Sequence, residues 1–478
     1  MLTPAYGIFA YLPGAQQRGQ VDVDFAGKTH IVGLHEVPGP NKAVVHYVLD
    51  SELFAPHGPG LIYTDDHGGG PFATDANKFA FFCAAAATAL REGVLGVPDV
   101  VHLHDWQAAL YLVLRRFAPS FAALRKIRTV FTIHNLAMQG VRPLAGNGSS
   151  FATWFPNLKF GAEAIIDPRW PDCINPMAIG IRLADAVNTV SPTYAQEILV
   201  PSDSARGYSG GEGLDADLRA AQTEKRLVGI LNGCNYPPRQ PRKPGWDRIL
   251  TTMRVEATRW IARERHLPAA HYLADKRLAK LSARRPRALL TSIGRVTAQK
   301  AELYRAPTTA GVSALEAILA TIGSDSLFVL VGSGDPDYER FFTEIAGTYD
   351  NFLFLNGYSD GLAGLLYAGG DLFLMPSSFE PCGISQMLAM RAGQPCVVHG
   401  VGGLKDTVTD GITGFVFSGR TPAEQAEAFV ARLAYALELR GTSPGRWQRL
   451  QQAAAAARFS WAISGATYEK ALYGYKSQ

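Results

Sequence analysis

Short apolar runs alternate with longer helix-patterned stretches along this chain, and no other feature restricts its fold as strongly. The runs span 99–103, 128–133, 186–190 and 227–231, then 287–293, 327–331, 351–355, 371–375, 396–399 and 414–417. Runs that are apolar on both faces are the pattern of strands buried in a parallel sheet between helices. Their alternation with helices predicts an α/β fold, built twice. A chain of 478 residues has room for two or three domains. The densest proline cluster, Pro237, Pro238, Pro241 and Pro244, lies where the two sets of runs separate. The predicted organisation is therefore a doubly wound domain over 1–235, a linker over 236–245 and a second doubly wound domain over 246–457, facing each other across a cleft. Residues 458–478 read as a helix whose aromatics Trp461, Tyr468, Tyr473 and Tyr475 need a surface to cover, and it is expected to pack back on the first domain.

Lysine and arginine number 46 against 42 aspartate and glutamate, a net charge of +4. The basic stretches at 239–243 and 284–287 are short and lack interleaved aromatics, which argues against nucleic acid as a partner. Five cysteines, Cys83, Cys173, Cys234, Cys382 and Cys396, are odd in number, scattered and without a CxxC pair. They read as free thiols of a reducing, cytoplasmic compartment. No leader pattern opens the chain, and apolar stretches such as 79–90 are too short or alanine-rich for a bilayer, so no membrane partner is expected.

In open parallel sheets, ligands bind beyond the carboxyl ends of the strands, so the polar residues just after each run are the candidates. The first half places His102, His104, Asp105 and Trp106 after one run and His134 and Asn135 after the next. The second half places Arg295 and Lys300 after the 287–293 run, Tyr358 after 351–355, and the segment 377–386 after 371–375. There Glu380 and Cys382 precede Gly383, Ile384 and Ser385, whose backbone N–H groups would open a helix and favour a phosphate. Arg295 and Lys300, five apart across a turn, can aim at one oxyanion and neutralise a phosphate leaving group without a metal.

Two rival readings carry less. His102 and His104 form an HxH pair that a metal could use with His134, but no HExxH accompanies them and the Arg295/Lys300 pair suits an anion. Gly207-Tyr208-Ser209-Gly210-Gly211 matches the nucleophile elbow GxSxG, with an esterase-like HGGG at 67–70; an elbow needs a buried strand before its serine, and 201–206 is loop in composition.

These segments together resemble bacterial glycogen synthases and plant starch synthases, glycosyltransferase family 5, of GT-B architecture with two Rossmann-like domains. The likeness rests on 2–7 (LTPAYG), HDW at 104–106, FTIHN at 131–135, TVSPTYAQEI at 189–198, GILNG at 229–233, GR at 294–295 with QK at 299–300, GSGD at 332–335, FEPCG at 379–383 and GGLKDTV at 402–408. It implies transfer of glucose from ADP-glucose to the 4-OH at the non-reducing end of an α-1,4-glucan, with retention and with neither metal nor cofactor. The same resemblance assigns Arg295, Lys300 and the backbone at Gly383, Ile384 and Ser385 to the departing diphosphate. His134 would hold the donor glucose and its developing charge, with Glu380 and Cys382 lining the glucose pocket. Asp105 would position sugar hydroxyls, Asn232 would sit by the sugar, Tyr358 would stack on adenine, and Trp106 would be an acceptor platform. One clear carboxylate in the motif suits front-face attack, the leaving phosphate taking the acceptor proton, better than a two-carboxylate scheme.

A related sucrose- and mannosyl-transferase family carries a second glutamate eight residues after the first; here that position is Leu388. Ser378 stands where the resembled family commonly has Arg, Asn235 where it has Asp, and Ala301-Glu302 where a glycine follows the lysine. The family's opening strand and KxGG loop are not in the sequence, which is expected to leave unpaired backbone and a gap inside the first sheet. A mis-assigned or truncated start, with Met1 internal, is the expectation. The alternative function is an inactive glucan- or nucleotide-binding homologue.

Overall fold

The computed structural model describes residues 1–64, 66, 72–237 and 242–474. A first sheet contains β1 (Leu2–Pro4), β2 (Gln16–Phe25), β3 (Lys28–Val37) and β4 (His46–Asp50) in the order β1-β4-β3-β2. Here β1 runs parallel to β4, while β2 and β3 form an antiparallel hairpin. Val21, Val23 and Phe25 are buried and alternate with exposed neighbours, the signature of a sheet wet on one face. Ala26 (φ 51°) and Gly27 (φ 74°) close the hairpin with two left-handed residues, as the twist of a two-residue turn demands.

The chain continues through β5 (Val100–His104), β6 (Arg128–Ile133), a two-residue antiparallel pair β7 (Arg142–Pro143) and β8 (Cys173–Ile174), β9 (Ala186–Thr189) and β10 (Leu227–Gly229). A second, all-parallel sheet has the order β10-β9-β6-β5. The N-terminal half thus holds two four-stranded sheets rather than one continuous sheet. Each ends on a strand, β1 or β5, that borders a cavity of about 820 Å³ lined by Leu2, Pro4, Val101, Leu103 and His104 among others.

The second half forms one six-stranded parallel sheet from β11 (Leu289–Ile293), β12 (Leu327–Val331), β13 (Phe352–Leu355), β14 (Leu372–Met375), β15 (Cys396–His399) and β16 (Gly414–Phe417). Its order is β13-β12-β11-β14-β15-β16. Phe328, Leu330, Phe352 and Leu372 face one core, while Leu327, Val329, Leu353 and Phe373 face another on the opposite side. Burial of both faces explains why these strands read as unbroken apolar runs.

Of the linker segment, Pro238, Arg239, Gln240 and Pro241 lie outside the described residues, as do Tyr475 to Gln478 of the tail. Leu472 of the tail is buried with Val130, Ala186 and Ile230. Arg128 Nε donates to its carbonyl at 2.7 Å, and Ser464 Oγ to the Leu231 carbonyl at 2.7 Å. No helix among the described residues is long and apolar enough to cross a membrane.

A buried ion pair ties the segment at Ile62 and Thr64 to the helix Ala73–Arg91. Lys78, on the helix Ala73–Arg91, meets Asp75 at 2.8 Å with both side chains essentially inaccessible, and also donates to the Ile62 carbonyl. Asp75 accepts the Thr64 N–H on both oxygens, at 3.2 Å each. Removing one partner strands a buried charge. Asp75→Ala should lower stability by about 3–5 kcal/mol in denaturant unfolding, and Asp75→Ala/Lys78→Met should recover much of it.

Candidate active site

In the six-stranded sheet the first strand, β11, lies beside the fourth, β14, so the crossovers diverge there and a crevice opens outside the carboxyl ends. Gly294 and Arg295 follow β11, and the helix Ala298–Arg305 then carries Lys300. Ser377 to Glu380 follow β14. Lys300 Nζ forms an ion pair with Glu380 Oε2, and Ser377 Oγ donates to the same oxygen at 2.9 Å. Gln299 Nε2 donates to the Phe379 carbonyl at 3.0 Å and Ser378 N–H to the Gln299 carbonyl at 2.8 Å, so the two loops are laced together. Glu380 is buried, whereas Arg295 is exposed and makes no ion pair with any described residue. Two cations against one carboxylate leave one net positive charge at the switch point, which favours an anion.

The turn after Glu380 adds donors. Gly383 has φ 75°, a conformation that spares glycine the strain of a side chain. No side chain caps the helix Ser385–Arg391 that follows. Ser385 Oγ donates to the Ile293 carbonyl at 3.2 Å, tying this turn to the end of β11. The Cys382 thiol is buried and its pKa is pushed up to about 12, chiefly by loss of water, which favours the neutral thiol. The Asn232 backbone bonds to it, bringing the two halves of the chain together at that point.

On the N-terminal side, Asp105 follows β5 with φ 53°, a left-handed conformation that few non-glycine residues adopt. Its Oδ1 accepts the His134 backbone N–H at 2.7 Å. Burial raises the carboxyl's pKa, partly opposed by His134 and by the backbone of His134 and Asn135. His134 Nε2 lies 3.0 Å from His104 Nδ1. His102 has both nitrogens occupied, by Tyr473 OH at 2.9 Å and Thr132 Oγ1 at 2.5 Å. Burial first and the neighbouring imidazoles second push its pKa down to about 3. Among the described residues no group of three or more His, Cys, Asp or Glu side chains is placed to hold a metal ion.

Trp106 departs from its expected place. Its indole is 5% exposed, edge-on to Phe79 at 5.5 Å and tilted against Phe72, and a Cβ on Gly140 would fall 2.2 Å from the ring. The side chain belongs to the N-terminal core and presents no free face to a sugar. Tyr358 lies after β13, two strands from β11, with an exposed ring and its hydroxyl donating to Asp360 Oδ1 at 2.8 Å. Ser209 of the GxSxG match lies in a loop with no strand before it, and the HGGG at 67–70 lies outside the described residues.

Several contributors escaped sequence reasoning. Buried His399 contacts the Ser377 carbonyl through Nδ1 at 2.9 Å and stacks on Phe417 at 5.2 Å, supporting the serine that bonds Glu380. Ser191 Oγ donates to the Pro381 carbonyl at 2.6 Å, Thr193 donates twice to Asp406 at 2.6 and 2.8 Å, and the Gly402 N–H meets Glu197 at 3.0 Å. Gly402 is required there, since a Cβ would fall 1.9 Å from the Glu380 carbonyl. Ser191, Thr193 and Glu197 lie in the TVSPTYAQEI segment and Gly402 and Asp406 in GGLKDTV, so these motifs were visible although their role in joining the halves was not.

Comparison with known proteins fits this geometry. Residues 1–220 match the model of the starch synthase catalytic domain, and residues 287–435 match that of glycosyl transferases group 1. The glycogen synthase of Streptococcus equi subsp. zooepidemicus is 35% identical over 440 residues, covering 89% of this chain and 81% of the relative. The chain belongs to the glycogen and starch synthase family. Another member, the glycogen synthase of Hydrogenovibrio crunogenus, is 32% identical over 487 residues, covering 98% and 91%. The catalytic domain of starch synthase IV from Arabidopsis thaliana, solved with ADP and acarbose, superposes with a TM-score of 0.75 at 28% identity, covering 99% of this chain and 91% of that one. The fold is accordingly GT-B, and the protein is a glycosyltransferase of the glycogen/starch synthase kind.

The two cations at the switch point differ in what they support. Lys300→Ala uncovers the buried Glu380 carboxylate and should cost about 3 kcal/mol in denaturant unfolding. Arg295→Ala removes an exposed side chain with no ion pair among the described residues and should stay within about 0.5 kcal/mol of the parent.

Proposed function

We propose that the chain transfers glucose from ADP-glucose to the 4-OH at the non-reducing end of an α-1,4-glucan, with retention and without a metal. The observation that carries this reading is Arg295, exposed and in no ion pair with a described residue, beside the Lys300–Glu380 pair at the switch point of the C-terminal sheet. As the glycosidic bond breaks, charge moves onto the diphosphate oxygens, so cations that fit the separated state better than the ground state lower the barrier. Arg295 and Lys300 take that role, helped by the N–H groups at Gly383, Ile384 and Ser385. Glu380 and the neutral Cys382 thiol line the glucose pocket, with Asn232 at its edge. His134 stands by the anomeric centre and Asp105 orients it and the sugar hydroxyls. Tyr358, whose exposed ring follows β13, stacks on adenine. The acceptor 4-OH attacks from the face the phosphate leaves, and its proton passes to a phosphate oxygen. The ADP and acarbose bound by the Arabidopsis relative support the choice of donor nucleotide and of an oligosaccharide acceptor.

A second reading, a homologue that holds glucan or nucleotide without turnover, is favoured by the cavity between β1 and β5. It opens beside His104 and Asp105, on the acceptor side.

Incubation with glycogen and either ADP-glucose or UDP-glucose separates the two. The expected result is ADP release from ADP-glucose matched by new α-linked glucose, unaffected by chelator, with kcat of Arg295→Ala lower by about 10²–10³-fold. Glycogen binding with no diphosphate released from either donor would establish the second reading instead.

A further inference from the structure

Three imidazoles meet where β5 and β6 end. Their arrangement goes beyond the roles given above, though it rests on the proposed placement of His134 at the donor sugar. His102 and His104, two apart on β5, project from the same face of the strand, and their rings stack at 4.5 Å with planes 20° apart. The parallel register sets His104 opposite Thr132, two residues before His134. His104 Nδ1 then reaches His134 Nε2 at 3.0 Å.

The lower ring of the stack is held without freedom to turn. Asn188 Oδ1 can only accept, so the Thr132 hydroxyl spends its hydrogen on Asn188 at 2.5 Å and accepts from His102 Nε2–H. His102 Nδ1 is then the acceptor for the Tyr473 hydroxyl. Asn188 is itself oriented by its amide donating to Tyr468 OH at 3.2 Å. The Thr132 hydroxyl hydrogen and the His102 tautomer are thereby set, and Tyr468 and Tyr473 tie the group to the C-terminal tail.

We infer that His104 is a positioning residue: its Nδ1 holds Nε2 of His134 and so fixes the orientation and tautomer of the ring that faces the donor sugar. Asp105 grips the backbone N–H of His134 and His104 grips its ring, so neighbouring side chains control both parts of one residue. One hydrogen bridges the 3.0 Å contact, so the tautomer of His134 is tied to that of His104. Loss of His104 frees that ring while leaving the core intact, because the His104 side chain is open to the cavity.

The test uses the full chain and variants that separate this contact from mere bulk. His104→Asn places an amide near the position of Nδ1 and should keep kcat within about threefold, whereas His104→Ala should lower kcat about 10- to 100-fold with the donor KM little changed. The His104→Ala/His134→Ala double variant should be no worse than His134→Ala alone, because the first residue acts through the second. Independently of turnover, nitrogen-15 NMR of the histidine rings should give one His134 ring signal shared by the parent and His104→Asn, and a changed one in His104→Ala. An unchanged His134 ring signal in His104→Ala would overturn the inference even if the enzyme proved inactive. Additive losses in the double variant, or Asn as damaging as Ala, would do the same in an active one.

Discussion

The ion pair between Lys300 and Glu380 ties the loop after β11 to the loop after β14, and the chemistry of the C-terminal domain is arranged around it. A buried carboxylate is costly unless paired, so Glu380 can lie in the pocket only because Lys300 and Ser377 meet its Oε2. That constraint fixes the helix carrying Lys300, and with it the turn that leaves Arg295 uncommitted. The 3-2-1-4-5-6 strand order supplies the place, since only between β11 and β14 do the crossovers part to admit a ligand. His399 extends the same support from the next strand, through the Ser377 carbonyl.

The N-terminal half is organised by different means. Its sheets do not join, and the tail crosses back to bury Leu472 against Val130 and Ala186 while its tyrosines reach the histidine stack. Between the halves, Val190 and Cys234 pack with Cys382 and Met387, and Ser191, Thr193 and Glu197 bond to residues from Pro381 to Asp406. Cys382 itself therefore touches the opposite domain, and Glu380 sits one residue from the Pro381 carbonyl that Ser191 grips. Domain orientation and pocket shape are coupled through Pro381.

Much of this was legible in the sequence. The runs in the second half coincide with β11 to β16 because a strand buried on both faces has no polar positions to blur its ends. The cations and Glu380 could be placed because residues after strand ends converge at a switch point. The hairpin of β2 and β3 was not anticipated, although Val21, Val23 and Phe25 alternate with Asp22 and Asp24 and Gly27 follows; a half-wet sheet gives a period-two signal rather than a continuous run. Trp106 was misplaced because a motif tells which residue follows a strand and not which way its ring turns, and Gly140 makes the room that draws the indole inward. Contacts such as Ser191 to Pro381 join residues 190 positions apart, which no local pattern encodes.

The proposed reaction puts the diphosphate of the donor between Arg295, Lys300 and the turn at Gly383. A crystal structure of the protein with ADP bound shows whether it does. The expected result is phosphate oxygens within about 3 Å of the Arg295 guanidinium, Lys300 Nζ and the backbone N–H groups of residues 383–385. ADP bound elsewhere, or its phosphates pointing to solvent with Arg295 still uncommitted, would contradict it.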